Sequence, residues 1–266
     1  MVNKNNCRQN SEAKDPKSIY IVCEGKNTER FYICRYINFL IKKINQKNIN
    51  NFSIRDPYGN DIGKSIFSII CEDNDGQVLD SIQIQINHIG KTDPVSIVED
   101  GNKKSSKYDY IYCVLDKDAH VDGRRGNYEK AMTTKLKNNV KRINSIPYFE
   151  YFIRLHFEYS TSDDYCNSSS DEFIKNILND KLKLNYSKKQ SSFLDFFDIK
   201  LKDKLIVGIK NAKKLGAEQD IEIKTEFHTL LIELFKIFTE KIEDENYSTK
   251  DKSDKEVIKI MEKMFE

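Results

Sequence analysis

The sequence predicts an α/β fold: a mainly parallel sheet flanked by helices, followed by an α-helical C-terminal part. Three observations carry this: two continuous apolar runs, Ile19 to Cys23 and Tyr110 to Leu115; a helix-period segment directly after the first run; and helical patterning from about residue 170 onward. Runs that are apolar at every position suit strands buried on both faces, as parallel strands are. The segment NTERFYICRYINFLIKKI then sets Phe31, Cys34, Ile37, Ile41 and Ile44 at steps of three to four, one stripe of an amphipathic helix that Asn27 or Thr28 can cap.

Residues 46 to 80 are polar, with turn signals in RDPYGND and EDNDG, and read as an irregular variable insertion. SIQIQINHIG alternates Ile82, Ile84 and Ile86 with polar residues, the period of a half-exposed strand near a sheet edge. Beyond the second apolar run, NYEKAMTTKLKNNV reads as a helix, KRINS as a short strand and PYFEYFIRLHFE as a helix with Pro147 in its first turn. Later, Phe227, Leu230, Leu231, Leu234 and Phe238 form one helical stripe, and the charged tail suits a last helix. Strands alternating with helices, then helices alone, divide the chain into a polar arm (1–17), an α/β domain (18–160) and a helical region (161–266).

With 44 basic against 42 acidic residues, overall charge does not mark a nucleic-acid binder, and any such binding needs a local patch. The six cysteines include no CxxC pair; Cys23, Cys34 and Cys113 fall on apolar faces, where packing is the simpler role than zinc or disulfides. The N-terminus lacks the apolar core of a signal peptide, and Arg35 interrupts the best candidate for a membrane span. A cytoplasmic protein without membrane contact is expected.

Both apolar strands end on carboxylates: Glu24 after the first, Asp116 and Asp118 after the second. Ligands of open α/β sheets bind beyond the carboxyl ends of the strands. If the two strands are parallel neighbours, the three acids share one crevice, where a cation holds like charges ionised together. Carboxylate oxygens suit Mg²⁺ or Mn²⁺, and such a centre is a phosphoryl-transfer device, activating water against a phosphodiester. A solvated loop in which Asp118 caps the next helix is the plain alternative. A phosphatase with Asp116 as nucleophile is another, although its motif comes late in the chain and continues with Ala119. GNDIGKS has three residues between its glycines where a phosphate-binding loop needs four, and CNSSS has no partner pattern for a nucleophile.

In this order, IVCEGKNTE, INHIGKTDP, YCVLDKDAH, SIPYFEYFIRLHFE, GIKNAKKL and KTEFHTLLIELF resemble RloB-like proteins, whose first part looks like a TOPRIM domain. The resemblance covers most of residues 18 to 238. It implies a metal-dependent nuclease, acting on DNA or RNA, tRNA included, in an anti-phage abortive-infection system beside a separately encoded ATPase of the ABC or SMC type. Glu24, Asp116 and Asp118 match the TOPRIM acids, and Glu29 the second glutamate of the first motif. Ser145, Pro147, Phe149, Glu150 and His156 match the later block, with Ile146 and Tyr148 departing from it, and Asn27 stands where a lysine is common.

On this reading Glu24, Asp116 and Asp118 hold Mg²⁺ or Mn²⁺, with Glu29 and Glu150 as candidates for a second ion. Lys26 and Arg125 are candidates to steady developing charge, and His120 and Arg124, with Lys117, for a phosphate backbone. Ser145, His156 and His228 complete the substrate-binding candidates, both histidines having core packing as the simpler role. A non-catalytic interaction subunit with a regulatory acidic pocket is the rival from another class, and a homo-oligomer is compatible with either.

Overall fold

A computed structural model describes residues 17–266 except 26–27, 48–50, 56–64, 73–77, 89–92, 118–123, 163–167, 220, 241 and 243. Its centre is a seven-stranded sheet in the order β2-β3-β4-β1-β5-β6-β7. The strands are β1 (Lys17–Cys23), β2 (Asn51–Arg55), β3 (Ser65–Glu72), β4 (Val78–His88), β5 (Tyr110–Asp116), β6 (Val140–Ile146) and β7 (Lys224–Thr225). The four inner strands β4, β1, β5 and β6 are parallel, and the outer pairings are antiparallel.

The two apolar runs follow from this placement. In β1, Ile19, Ile21 and Cys23 enter one core while Tyr20 and Val22 enter a second on the other face. In β5, Tyr112 and Val114 enter the first core and Ile111, Cys113 and Leu115 the second. Strands at the sheet centre thus have no solvent face, and alternation vanishes from their sequence. The smaller core is roofed by α2 (Pro94–Lys104) and α3 (Arg124–Thr133). Asp93 caps α2 by accepting from the Ser96 amide at 3.1 Å, and Pro94 opens its first turn.

The larger core joins the other sheet face to α1 (Thr28–Gln46), α4 (Phe149–Leu155) and the later helices: α5 (Ser170–Phe173), which continues as a π-helical stretch to Lys181, α6 (Gln190–Phe196), α7 (Leu205–Ala217), α8 (Phe227–Thr239) and α9 (Asp254–Phe265). One core therefore spans the α/β and helical parts. Capping boxes at Ser169 with Glu172 and Ser253 with Glu256 start α5 and α9.

Several expectations are corrected. The 46 to 80 segment is not irregular throughout: β2, β3 and the start of β4 extend the sheet. β4 consequently lies inside the sheet, paired on both sides, and alternates because only its Ile82, Ile84 and Ile86 face is covered by the core while Gln83 stays exposed. The α1 stripe was too narrow, since Tyr32, Ile33, Tyr36 and Leu40 are buried as well. That helix runs between the sheet and the C-terminal helices, so little of its circumference meets water. α3 stops at Thr133, where the hydroxyls of Thr133 and Thr134 donate back to the carbonyls of the preceding turn. Pro147 precedes α4 rather than entering its first turn, because Tyr148 stays extended (φ −159°, ψ 168°) with its ring against Phe173.

Candidate acidic active site

The parallel strands deliver their carboxyl ends to one edge of the sheet. Across that edge stand His88 from β4, Glu24 just past β1, Asp116 from β5 and Ser145 near the end of β6. β1 and β5 are parallel neighbours, as the shared crevice requires, and the Asp116 amide donates to Glu24 Oε2 at 3.1 Å. Asp116 has the strand parity of Tyr112 and Val114, the face that α1 and α4 cover.

Those helices bring two more acids by their first turns, Glu29 on α1 and Glu150 on α4. Glu24, Glu29 and Glu150 are each at most 5% exposed. Burial, with the charge of Glu150 and then of Glu24 beside it, pushes the Glu29 carboxyl up to about 8 against the pull of its own amide and of Lys188. Gly25 leaves room for this carboxylate, since a Cβ there would lie 2.2 Å from Glu29 Oε2. Glu24 thus stands between Asp116, whose amide it binds, and Glu29, which Glu150 approaches from α4.

The helical part closes the pocket. Lys188 Nζ lies 3.5 Å from Glu150 Oε1, and the Tyr186 hydroxyl donates to the same oxygen at 3.4 Å. Burial beside Glu150 drives the Tyr186 hydroxyl well above the ordinary phenol range, with Thr28 pulling the other way. On the far side of β1, Arg30 Nη1 donates to His88 Nδ1 at 3.0 Å.

The remaining candidates are placed differently. Ser145 lies in register with Asp116 but is wholly buried. Arg124 and Arg125 are the first residues of α3, while Lys117 pairs with Glu222. Lys26, Asp118 and His120 lie outside the described residues. The two histidines are held by partners within the fold. His156 is fully buried: its Nδ1–H donates to the Phe152 carbonyl at 2.9 Å and its Nε2 accepts from the Tyr32 hydroxyl at 2.8 Å. Burial lowers its pKa to about 4, so the ring is neutral. His228 donates from Nδ1 to the Thr225 carbonyl at 2.9 Å and sits near Lys213 and Asp254.

Lys188, Tyr186, Arg30 and His88 were not singled out in the sequence. The rule that marks Glu24 and Asp116, a polar residue where a strand ends, also marks His88. Lys188 follows Leu184 and Tyr186 at every second position, the only trace of a segment facing inward.

A family model of RloB-like proteins matches residues 19–234. The chain belongs to the RloB-like family. No curated protein and no solved structure matches it. The family match runs from β1 into α8 and so includes every acid of the pocket in this RloB-like chain. Among the described residues no helix is long and apolar enough to cross a membrane. Nor, among them, is any group of three His, Cys, Asp or Glu side chains arranged to hold a metal ion.

Proposed function

We propose that this RloB-like chain is a divalent-metal-dependent nuclease, the effector of an abortive-infection system whose trigger is a separately encoded ATPase. The observation that carries the reading is the crowding of Glu29 by Glu150 and Glu24 in a buried pocket at the strand ends. Buried like charges are costly unless a cation offsets them, and an all-carboxylate donor set fits Mg²⁺ or Mn²⁺. Glu24 and Asp116, together with Asp118, would hold the ion, and Glu29 and Glu150 are the candidates for a second. When bound, such an ion polarises a phosphodiester and lowers the pKa of water. The chain's own contribution is orientation: the Asp116 amide fixes the Glu24 carboxylate, and Tyr186 and Lys188 fix Glu150. Burial and Glu150 push Glu29 toward its protonated form in the absence of metal, so entry of a cation would favour release of its proton.

A non-catalytic regulatory pocket is favoured by one observation, that Lys188 already supplies a positive charge beside Glu150. Calorimetric titration of Mn²⁺ into the wild type, Glu24→Ala and Asp116→Ala separates the two readings. Saturable binding that either substitution abolishes, followed by cleavage of DNA or RNA, supports the nuclease. Absence of binding and cleavage in the wild type leaves the regulatory pocket.

A further inference from the structure

Lys188 sits where an acidic pocket meets solvent. Its ammonium is 3.5 Å from Glu150 Oε1, 3.5 Å from Asp171 Oδ1 and donates to Ser170 Oγ at 2.7 Å. The side chain of Glu150 is 4% exposed, whereas that of Lys188 is 39% exposed. The pair is therefore asymmetric, a buried carboxylate beside a cation whose side chain is partly exposed and also reaches Asp171 and Ser170. Partial burial would lower the lysine pKa, but Glu150, Asp171 and Glu29 overcome it and raise the value, so the group stays charged.

The segment bearing Lys188 is firmly built. Asn179 clamps the Tyr186 backbone, donating from Nδ2 to its carbonyl at 3.0 Å and accepting from its amide at 2.6 Å. Leu184 and Tyr186 are buried, and the Leu184 amide donates to the Leu178 carbonyl at 2.9 Å. Lys183 and Asn185 hold positive φ values of 53° and 55°, a conformation that asparagine adopts readily and lysine seldom. A lysine that served only as a surface ion pair would contribute little and would not require such anchoring.

We infer that Lys188 is a catalytic residue of the site, binding the non-bridging oxygens of the phosphodiester as it enters the acidic pocket. A pocket lined by Glu24, Glu29, Asp116 and Glu150 repels a polyanion, and a fixed ammonium at its mouth offsets that repulsion where the phosphate arrives. The helical part thereby contributes to substrate contact as well as to the core. The inference rests on the nuclease reading.

The test uses the full chain as wild type, Lys188→Ala, Lys188→Arg and, as a control, Lys189→Ala, an exposed neighbour. Three quantities are measured: Mn²⁺ binding by calorimetry, affinity for fluorescein-labelled 20-nucleotide DNA and RNA strands at saturating Mn²⁺, and hydrolysis of bis(p-nitrophenyl) phosphate. A charge-assisted contact to phosphate predicts a loss of about tenfold to a hundredfold in strand affinity and hydrolysis for Lys188→Ala. Partial rescue is expected in Lys188→Arg, and Mn²⁺ affinity is expected not to fall in Lys188→Ala, since every carboxylate stays and a competing positive charge is removed. The inference is overturned if Lys188→Ala binds strands and hydrolyses the diester like the wild type, which leaves the nuclease reading intact. It is equally overturned if Lys188→Ala loses Mn²⁺ binding in step with activity and Arg restores neither, the pattern of a structural prop. If the wild type binds neither Mn²⁺ nor strands and does not hydrolyse the diester, the nuclease reading falls and takes the inference with it.

Discussion

Glu24 Oε2 accepts the backbone amide of Asp116 at 3.1 Å, so the two strand-end acids are linked by a hydrogen bond across the β1–β5 pair. The arrangement separates the fold role of Glu24 from its charge. Glu24→Gln keeps an acceptor oxygen and is expected to shift stability by less than about 1 kcal/mol, yet to lose Mn²⁺ binding. Glu24→Ala removes the acceptor and costs about 1–3 kcal/mol for the unpaired amide. Urea denaturation beside calorimetry checks both, and Mn²⁺ binding retained in Glu24→Gln would remove Glu24 from the ligand set.

The crowding of Glu29 makes stability depend on pH in a defined direction. Its folded pKa, about 8, lies above the ordinary 4.5, so without metal the stability is full below pH 4.5 and is lost as pH rises through 8. Glu150, Glu24 and Lys188 are the charged groups that face it. Glu29→Gln is expected to match the wild type near pH 4.5 and to exceed it by a few kcal/mol at pH 9, read by urea denaturation at each pH in chelator. Equal stabilities at pH 9 would place Glu29 in contact with water. In the wild type, Mn²⁺ affinity should increase between pH 6 and 8, since binding releases the Glu29 proton.

The carboxylate end of the site was legible because β1 and β5 lose their alternation at the sheet centre and end on acids, a pattern that needs no knowledge of the partner strands. Glu150 was legible only through the resemblance, as its own helix gives no sign of the pocket. Lys188 was hidden, since a lysine between Ser187 and Lys189 looks like surface until Asn179 and Tyr186 fix the segment. The β2–β3 extension was obscured by turn-rich flanks, and the burial of α1 by helices more than 100 residues later in the chain, which leave a local stripe incomplete.

His156 is expected to govern acid stability and not metal binding. Its folded pKa of about 4 lies below the ordinary 6.5, so its contribution is full above pH 6.5 and lost as pH falls toward 4, on the order of 3 kcal/mol in all. α7 packs so closely that a Cβ on Gly208 would stand 2.7 Å from the imidazole. Gly208→Ala should cost about 1–3 kcal/mol by overpacking. Tyr32→Phe should cost about 1 kcal/mol for the lost hydrogen bond. Calorimetry should show Mn²⁺ affinity unchanged in both, and a loss confined to these variants would return His156 to the site.

On the opposite face of the sheet, α2 positions the strand that carries Asp116. A Cβ on Gly101 would lie 2.5 Å from Cys113 Sγ, 3.3 Å from Ile111 and 3.4 Å from Val140, so the helix approaches β5 and β6 at van der Waals distance only because the residue is glycine. Gly101→Ala must push α2 outward or displace the thiol, at about 1–3 kcal/mol. Cys113→Ala alone leaves a small void and costs about 1 kcal/mol. Because the added methyl would occupy the space the sulfur vacates, the double variant should be more stable than the sum of the single losses implies, with a coupling of about 1 kcal/mol. Urea unfolding of the four proteins measures it. Strict additivity would mean that α2 yields as a rigid body, and then Mn²⁺ binding should weaken in Gly101→Ala, since Asp116 ends the strand on which that helix rests.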